Sequence, residues 1–179
     1  GLSSTAYSFI AGIMEHIKGM TAVTNPLVNS YKRLVPEFEA PVYIAWSAQN
    51  RSPLIRVPAA RGQGTRVELR SADPSANPYL ALAVTIAAGL DGVKRGLVPP
   101  PAVDGNIYAM SDAQRKKHKI QMLPTSLESA IVELKKDKLI CNTLGEHILE
   151  KYVEAKELEW QNYKTRISQW EIDEYLSKY

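Results

Sequence analysis

The sequence predicts an α+β fold that is rich in helix. Three observations carry this. Apolar residues recur at helical spacing near the start of the chain and again through most of its second half. Three short runs of strand formers lie between residues 42 and 70. After residue 72 only helical patterns and irregular connections remain. The expectation is short antiparallel strands in the first half, flanked by helices, and a helical C-terminal half.

The first helix is marked by Phe9, Ile10, Ile13, Met14, Ile17 and Met20, with Ser3 or Ser4 as its cap. Asn25-Pro26 ends it. Residues 25–41 are mixed and polar, with prolines at 26, 36 and 41, and a loop that long in a compact domain is usually functional. Val42–Trp46, Leu54–Val57 and Thr65–Arg70 read as strands, with a turn at Arg61-Gly62-Gln63-Gly64. The links look too short for parallel crossovers, so antiparallel pairing is expected. Asn77 can cap a helix whose first residue is Pro78. Residues 97–124 read as an irregular connection. Thr125–Glu128 and Thr143–Glu146 read as capping boxes, the second opening a long helix through Tyr163.

Composition narrows the class. The chain has 179 residues, 45% hydrophobic and 23% charged, values of an ordinary globular protein. That length holds one domain or part of a larger one. A net charge of +3 is too small to argue for a nucleic-acid binder. The single cysteine, Cys141, excludes an internal disulfide and a multi-cysteine metal site, and a reducing, cytoplasmic compartment is expected. No stretch is long and apolar enough for a membrane span; the longest, Tyr79–Leu90, reads as a buried helix. The start, Gly1-Leu2-Ser3-Ser4, is no signal peptide and lacks an initiator Met, so a piece of a longer protein is expected.

The chemistry concentrates between Asn29 and Arg70. Lys32, Arg33, Arg51, Arg56, Arg61, Arg66 and Arg70 face only three acids, Glu37, Glu39 and Glu68. Guanidinium forks match carboxylate and phosphate oxygens in pairs, so the cluster can bind an anionic substrate or a transferring phosphoryl group. A solvated surface sheet is the plainer alternative. Alternation places Arg66, Glu68 and Arg70 on one face of their strand, with Val67 and Leu69 on the other. That row is either an ion-pair ladder or a charged cleft with Glu68 as a metal ligand, and spacing does not separate the two. His16 reads as a surface or helix-packing residue. Arg115–Lys119, with His118, reads as a solvated loop. His147 fits no zinc spacing with Cys141, which reads as a small core residue. The aromatic tail, including Trp160, Tyr163, Trp170 and Tyr175, reads as packing or a subunit contact.

Three segments resemble the signatures of glutamine synthetase. They are Asn29–Pro36 with Glu39-Ala40-Pro41, Trp46–Ser52 running on to Ile55–Pro58, and Arg66–Arg70 followed by Asp73–Leu80. They stand in the family's order, and the resemblance extends over the whole chain. It is similar to the C-terminal half of a bacterial class I enzyme, the N-terminal domain and first part of the catalytic domain lying upstream. The resemblance implies an ATP-dependent glutamate–ammonia ligase that works through a γ-glutamyl phosphate. It implies that Arg33 binds the glutamate carboxylate and that Glu39, on a closing flap, helps deprotonate ammonium. Arg51 contacts phosphate during transfer, and Arg56 and Arg66 lie on the nucleotide side. Glu68 ligates Mg2+ or Mn2+, and Arg70 holds the substrate's reacting end.

Further implications are glutamate, ammonia and ATP as partners, and a homo-oligomer of stacked rings, a dodecamer. Neither direct nucleic-acid binding nor membrane binding is implied. The Tyr108 context, Asn106–Ser111, is similar to the branch regulated by glutamine feedback and by nitrogen-responsive repressors. The flap reads Pro36-Glu37-Phe38-Glu39 where the family commonly has Pro-Gly-Tyr-Glu. The other metal ligands lie upstream, so this chain alone is expected to be inactive. The alternatives are a ligase for polyamines or other amines, or an interaction module without catalysis.

Overall fold

The computed structural model describes residues 1–36, 40–48 and 52–178. Helix α1 (Ser4–Thr24) is the central element. The Ser3 side chain accepts from the Ala6 N–H, satisfying one of the donors that a first turn leaves free. Ile10, Ile13, Ile17 and Met20 are all buried, and their spacing of three and four builds the stripe that faces the core. The helix stops at Asn25, whose N–H still bonds the Thr21 carbonyl. Pro26 follows and cannot donate.

Helix α3 (Pro78–Arg95) starts as its sequence predicts, with the Asn77 side chain accepting from the Tyr79 and Leu80 amides. It ends at Gly96 in the left-handed region, φ 62°. It crosses α1 backbone against backbone. A Cβ added at Gly12 would lie 2.2 Å from the Ala88 carbonyl oxygen, and one at Gly92 would lie 2.1 Å from that of Ser8. Only hydrogen fits at either position. The contact brings Val84 and Ala88 onto α1 and buries both completely.

Between these helices lies a short helix, α2 (Ser30–Arg33), inside the stretch read as loop. The sheet follows: β1 (Tyr43–Ser47), β2 (Pro53–Arg56), β3 (Glu68–Leu69) and β4 (Gln121–Met122), in the order β3-β2-β1-β4. Two expectations need correction. β1 and β2 are parallel, Tyr43 facing Pro53 and Ser47 facing Arg56. The link 48–52 has five residues, and at roughly 3.3–3.6 Å per residue it can reach back along so short a strand without a helical crossover. The strands are also not confined to the first half, because β4 pairs antiparallel with β1 through Tyr43–Met122. The expected antiparallel pairing holds for β2 and β3, where Arg56 faces Glu68.

The connection 97–124 is more ordered than it reads. It contains α4 (Asp112–Lys117), opened by a reciprocal capping box between Ser111 and Gln114. Then come α5 (Leu127–Lys136), α6 (Lys138–Leu144), α7 (Glu146–Lys164) and α8 (Gln169–Tyr175). The first predicted box is displaced by one residue: Ser126 caps α5 and pairs with Ser129. The second does not form. Thr143 lies inside α6 and donates to the Leu139 carbonyl, while Gly145 at φ 75° separates α6 from α7. Helix α7 is tied back to the end of α1. Tyr152 donates to the Ala22 carbonyl at 2.7 Å, and Glu159 accepts from the Val28 N–H at 3.0 Å.

His16 packs between helices, as its position suggested, in a charged setting. Nδ1 lies 2.8 Å from Asp137 and Nε2 3.1 Å from Asp91, which also pairs with Arg95. Arg95 in turn pairs with Glu15 of α1. Gly19 lets Asp137 come close, for a Cβ there would lie 2.6 Å from that of Asp137. Burial disfavours the imidazolium, but the two carboxylates outweigh it and raise the His16 pKa above 6.5.

Two outcomes follow. Gly12→Ala should destabilise the chain by about 1–3 kcal/mol, because neither facing backbone can yield without separating the helices. Thermal melting followed by circular dichroism measures this, and an unchanged midpoint would disprove the close crossing. The His16 contribution should be complete below pH 6.5 and lost as pH rises through the raised folded value. Midpoints should therefore fall across that window, and His16→Gln should remove this part of the pH dependence.

Candidate active site

Strands β2 and β3 bring together three of the predicted residues. Arg56 and Glu68 are direct cross-strand neighbours, and side chains at such pairs meet. Arg56 Nε and Nη2 both lie 2.7 Å from Glu68 Oε2. Arg66 places Nε 2.8 Å and Nη2 2.7 Å from Glu68 Oε1. Each carboxylate oxygen therefore takes two donors of one guanidinium group, and such charge-assisted bonds are stronger than neutral ones. Arg56 first, then Arg66, holds the Glu68 carboxyl below its ordinary range. Arg66 also donates to the Gly64 carbonyl at 3.2 Å, so the 3-10 turn Gly62–Gly64 helps aim it.

The row is thus an ion-pair ladder, but with a different membership from the alternating pattern. Its second cation is Arg56 from the neighbouring strand. Arg70 instead places Nη1 3.4 Å from the Pro53 carbonyl, while its backbone N–H donates to Leu54. Val67 and Leu69 pack against the core, as alternation required.

Arg33 sits apart, at the end of α2. Its Nη2 donates to Asn25 Oδ1 at 3.1 Å and to the Ser71 carbonyl at 2.5 Å. Nε is buried and has no acceptor among the described residues. Asp73 belongs to the same polar nest. Burial opposes its ionisation, but hydrogen bonds from Ser75 and Ser30, with the charge of Arg33, hold its carboxyl low. Asn25, Ser71 and Asp73 were not singled out for this role. Asn25 and Ser71 are fully buried polar residues, and such residues need partners, but only the fold shows which. Glu39 and Arg51 lie outside the described residues.

The remaining candidates have structural settings. Arg115 is half-buried, 5.2 Å from the centre of the Tyr43 ring, and donates to the Met110 carbonyl, so that basic run is not wholly a solvated loop. The Tyr108 ring packs 5.6 Å from Tyr43. His118 and His147 are exposed. Cys141 is half-buried and donates to the Leu134 carbonyl, with burial pushing its thiol up. A cavity of about 960 Å3 lies against α1, Ile44 and residues 97–121, and none of Arg33, Arg56, Arg66 or Arg70 lines it.

Chemically, the ladder is suited to anionic oxygens. A phosphate can take over the guanidinium donors that Glu68 now holds. A divalent cation is less well served. Among the described residues no group of three or more His, Cys, Asp or Glu side chains could hold a metal ion, and Glu68 stands between two cations. These residues by themselves do not fit a metal.

Residues 1–175 match the family model for the glutamine synthetase catalytic domain. Identity is 58% over 178 residues to glutamine synthetase of Thermus thermophilus, covering 99% of this chain and 40% of that one. It is 57% over 179 residues to that of Clostridium saccharobutylicum, covering 100% and 40%. The chain thus spans about 40% of the length of these curated relatives. A solved GmaS/ADP complex, conformation 1, superposes with a TM-score of 0.86 at 37% identity, over 99% of this chain and 40% of that one. Apo GmaS without ligand superposes at 0.82 and 38% identity, over 98% and 39%. The chain belongs to the glutamine synthetase catalytic-domain family, whose named relatives are ligases. Among the described residues no helix is long and apolar enough to cross a membrane.

The ladder gives an ordered expectation. Arg56→Met should raise the Glu68 pKa more than Arg66→Met does, because Arg56 contributes the larger share of the lowering. Carbon-detected NMR titration of the Glu68 carboxyl reads both. Equal shifts would contradict the asymmetry.

Proposed function

We propose that residues 1–179 are the C-terminal portion of a glutamine synthetase catalytic domain, and that the whole protein is an ATP-dependent glutamate–ammonia ligase. What carries this reading is the Arg56–Glu68–Arg66 ladder, set within a chain that matches the family over residues 1–175. The reaction joins anions. A γ-carboxylate oxygen of glutamate attacks the γ-phosphorus of ATP, and ADP leaves. Ammonia then attacks the acyl carbon, inorganic phosphate leaves, and a proton is released.

Arginine serves the first step directly. Two anions approach only where fixed positive charge offsets their repulsion, and guanidinium groups held in place cost little reorganisation. Arg56 and Arg66 serve the nucleotide and phosphate side, and Arg51 contacts phosphate during transfer. Arg33 and Arg70 hold the glutamate, and Glu39 receives the proton from ammonium. ATP and Mg2+ or Mn2+ are the cofactors of this reading. Glu68 would be one metal ligand, with the others supplied by parts of the protein outside this chain. The stacked-ring assembly, the repressor interaction and the cytoplasmic location belong to the same reading.

Because Glu68 is already engaged by two arginines and the other metal ligands of this reading are elsewhere, the 179-residue chain should be inactive alone. The test is ATP- and Mg-dependent γ-glutamyl hydroxamate formation from glutamate and hydroxylamine. It compares this chain with one extended upstream to the relatives' full length. Activity only in the extended protein is expected. Turnover by the short chain would overturn the account of the site. Inactivity in both, or preference for a larger amine, would move the assignment to a non-catalytic relative or to another amine ligase.

A further inference from the structure

Among the described residues, helix α3 packs against α1 and α6 on one side and leaves a second apolar face exposed. Its inner face, with Val84 and Ala88, is buried beneath α1. Its outer face carries Tyr79, Leu82, Ile86 and Leu90, which are 82%, 61%, 49% and 44% exposed. These four lie at i, i+3, i+7 and i+11, so they form one stripe along the helix. Eleven steps at 1.5 Å make it roughly 16 Å long. No charged residue interrupts it; the first charges on the helix are Asp91, Lys94 and Arg95. A helix apolar all round belongs inside a core.

We propose that this stripe is the docking face for the part of the catalytic domain that precedes this chain in the whole protein. The length argument comes first. This chain covers 40% of the relative's length, so the larger part of that protein lies outside the match, and the matched model is that of a catalytic domain. A domain is built around a shared core, so the two parts must meet across apolar surface. The size of the stripe selects the same occupant. Four side chains offer at most a few hundred Å2, below the roughly 800 Å2 per partner of a stable complex between separate molecules. A contact within one chain has no such threshold, because the connection supplies a high effective concentration. The occupant is therefore an uncharged, apolar helix or sheet face of the preceding region, not a second copy of α3.

The inference rests on the longer-protein reading above, but its readout is accessibility rather than activity. Ile86→Cys is made in a Cys141→Ser background, in this chain and in the chain extended upstream with Thermus thermophilus sequence. Maleimide labelling is timed in each and referred to the guanidinium-unfolded protein. Rapid labelling of the short chain is expected, with at least tenfold slower labelling of the extended one. Equal rates would overturn the proposal. So would protection of the short chain that grows with its concentration, which would make a second copy the occupant. Leu82→Lys combined with Ile86→Lys gives an independent reading. Its melting midpoint should match wild type in the short chain and fall by at least about 10 °C in the extended one. A fall of the same size in both would also overturn it.

Discussion

The crossing of α1 and α3 is the contact on which the rest of the chain depends. Gly12 and Gly92 remove the side chains that would hold two helices at the usual 8–10 Å apart. The resulting proximity has consequences in two directions. It buries Val84 and Ala88 in the core that Ile13 and Ile17 also enter, and it aligns Asp91 with His16. Asp137, brought in by the bare surface of Gly19, closes the node from the α5–α6 junction. One half-buried imidazole then joins three helical elements through two carboxylates. The geometry of the helical layer is set by what three glycines lack.

That layer supports a small sheet whose own hydrogen bonds are few. Strand β3 is two residues long and β4 is two residues long. Neither would persist alone. Leu54 and Ile55 anchor the sheet in the core, where both are fully buried. With β2 fixed, Arg56 stands directly across from Glu68, and the turn at Gly62–Gly64 returns Arg66 to the same carboxylate. The charged ladder is thus the outward face of an apolar attachment. Its two arginines share one carboxylate, so both oxygens of Glu68 are engaged while one positive charge stays in excess. That engagement leaves Glu68 poorly placed to serve a cation without further ligands.

The helical elements were largely legible in the sequence, because their signals are local. The 3.6-residue stripe of α1, the Asn77-Pro78 start of α3 and the length of α7 each depend on neighbours within a few positions. Capping was read less well. Thr143 and Glu146 have box spacing, but Gly145 between them takes a left-handed turn and ends one helix as it begins another. The box at Ser111 and Gln114 has the right residues, yet it sits in a segment without periodicity, where nothing drew attention to it.

By itself, the sequence determined the helix-rich α+β class, the first helix and its buried face, and the concentration of arginines between residues 29 and 70. Those follow from patterning and composition, which act over short distances. The tertiary structure alone decided the partners. It made β1 and β2 parallel, supplied β4 from the far half of the chain, and put Arg56 rather than Arg70 on Glu68. It also enclosed Arg33 with Asn25 and Ser71 and left one side of α3 open. These are matters of register and of contacts between distant residues. They are fixed by which apolar surfaces bury one another, and no spacing within a single segment encodes that.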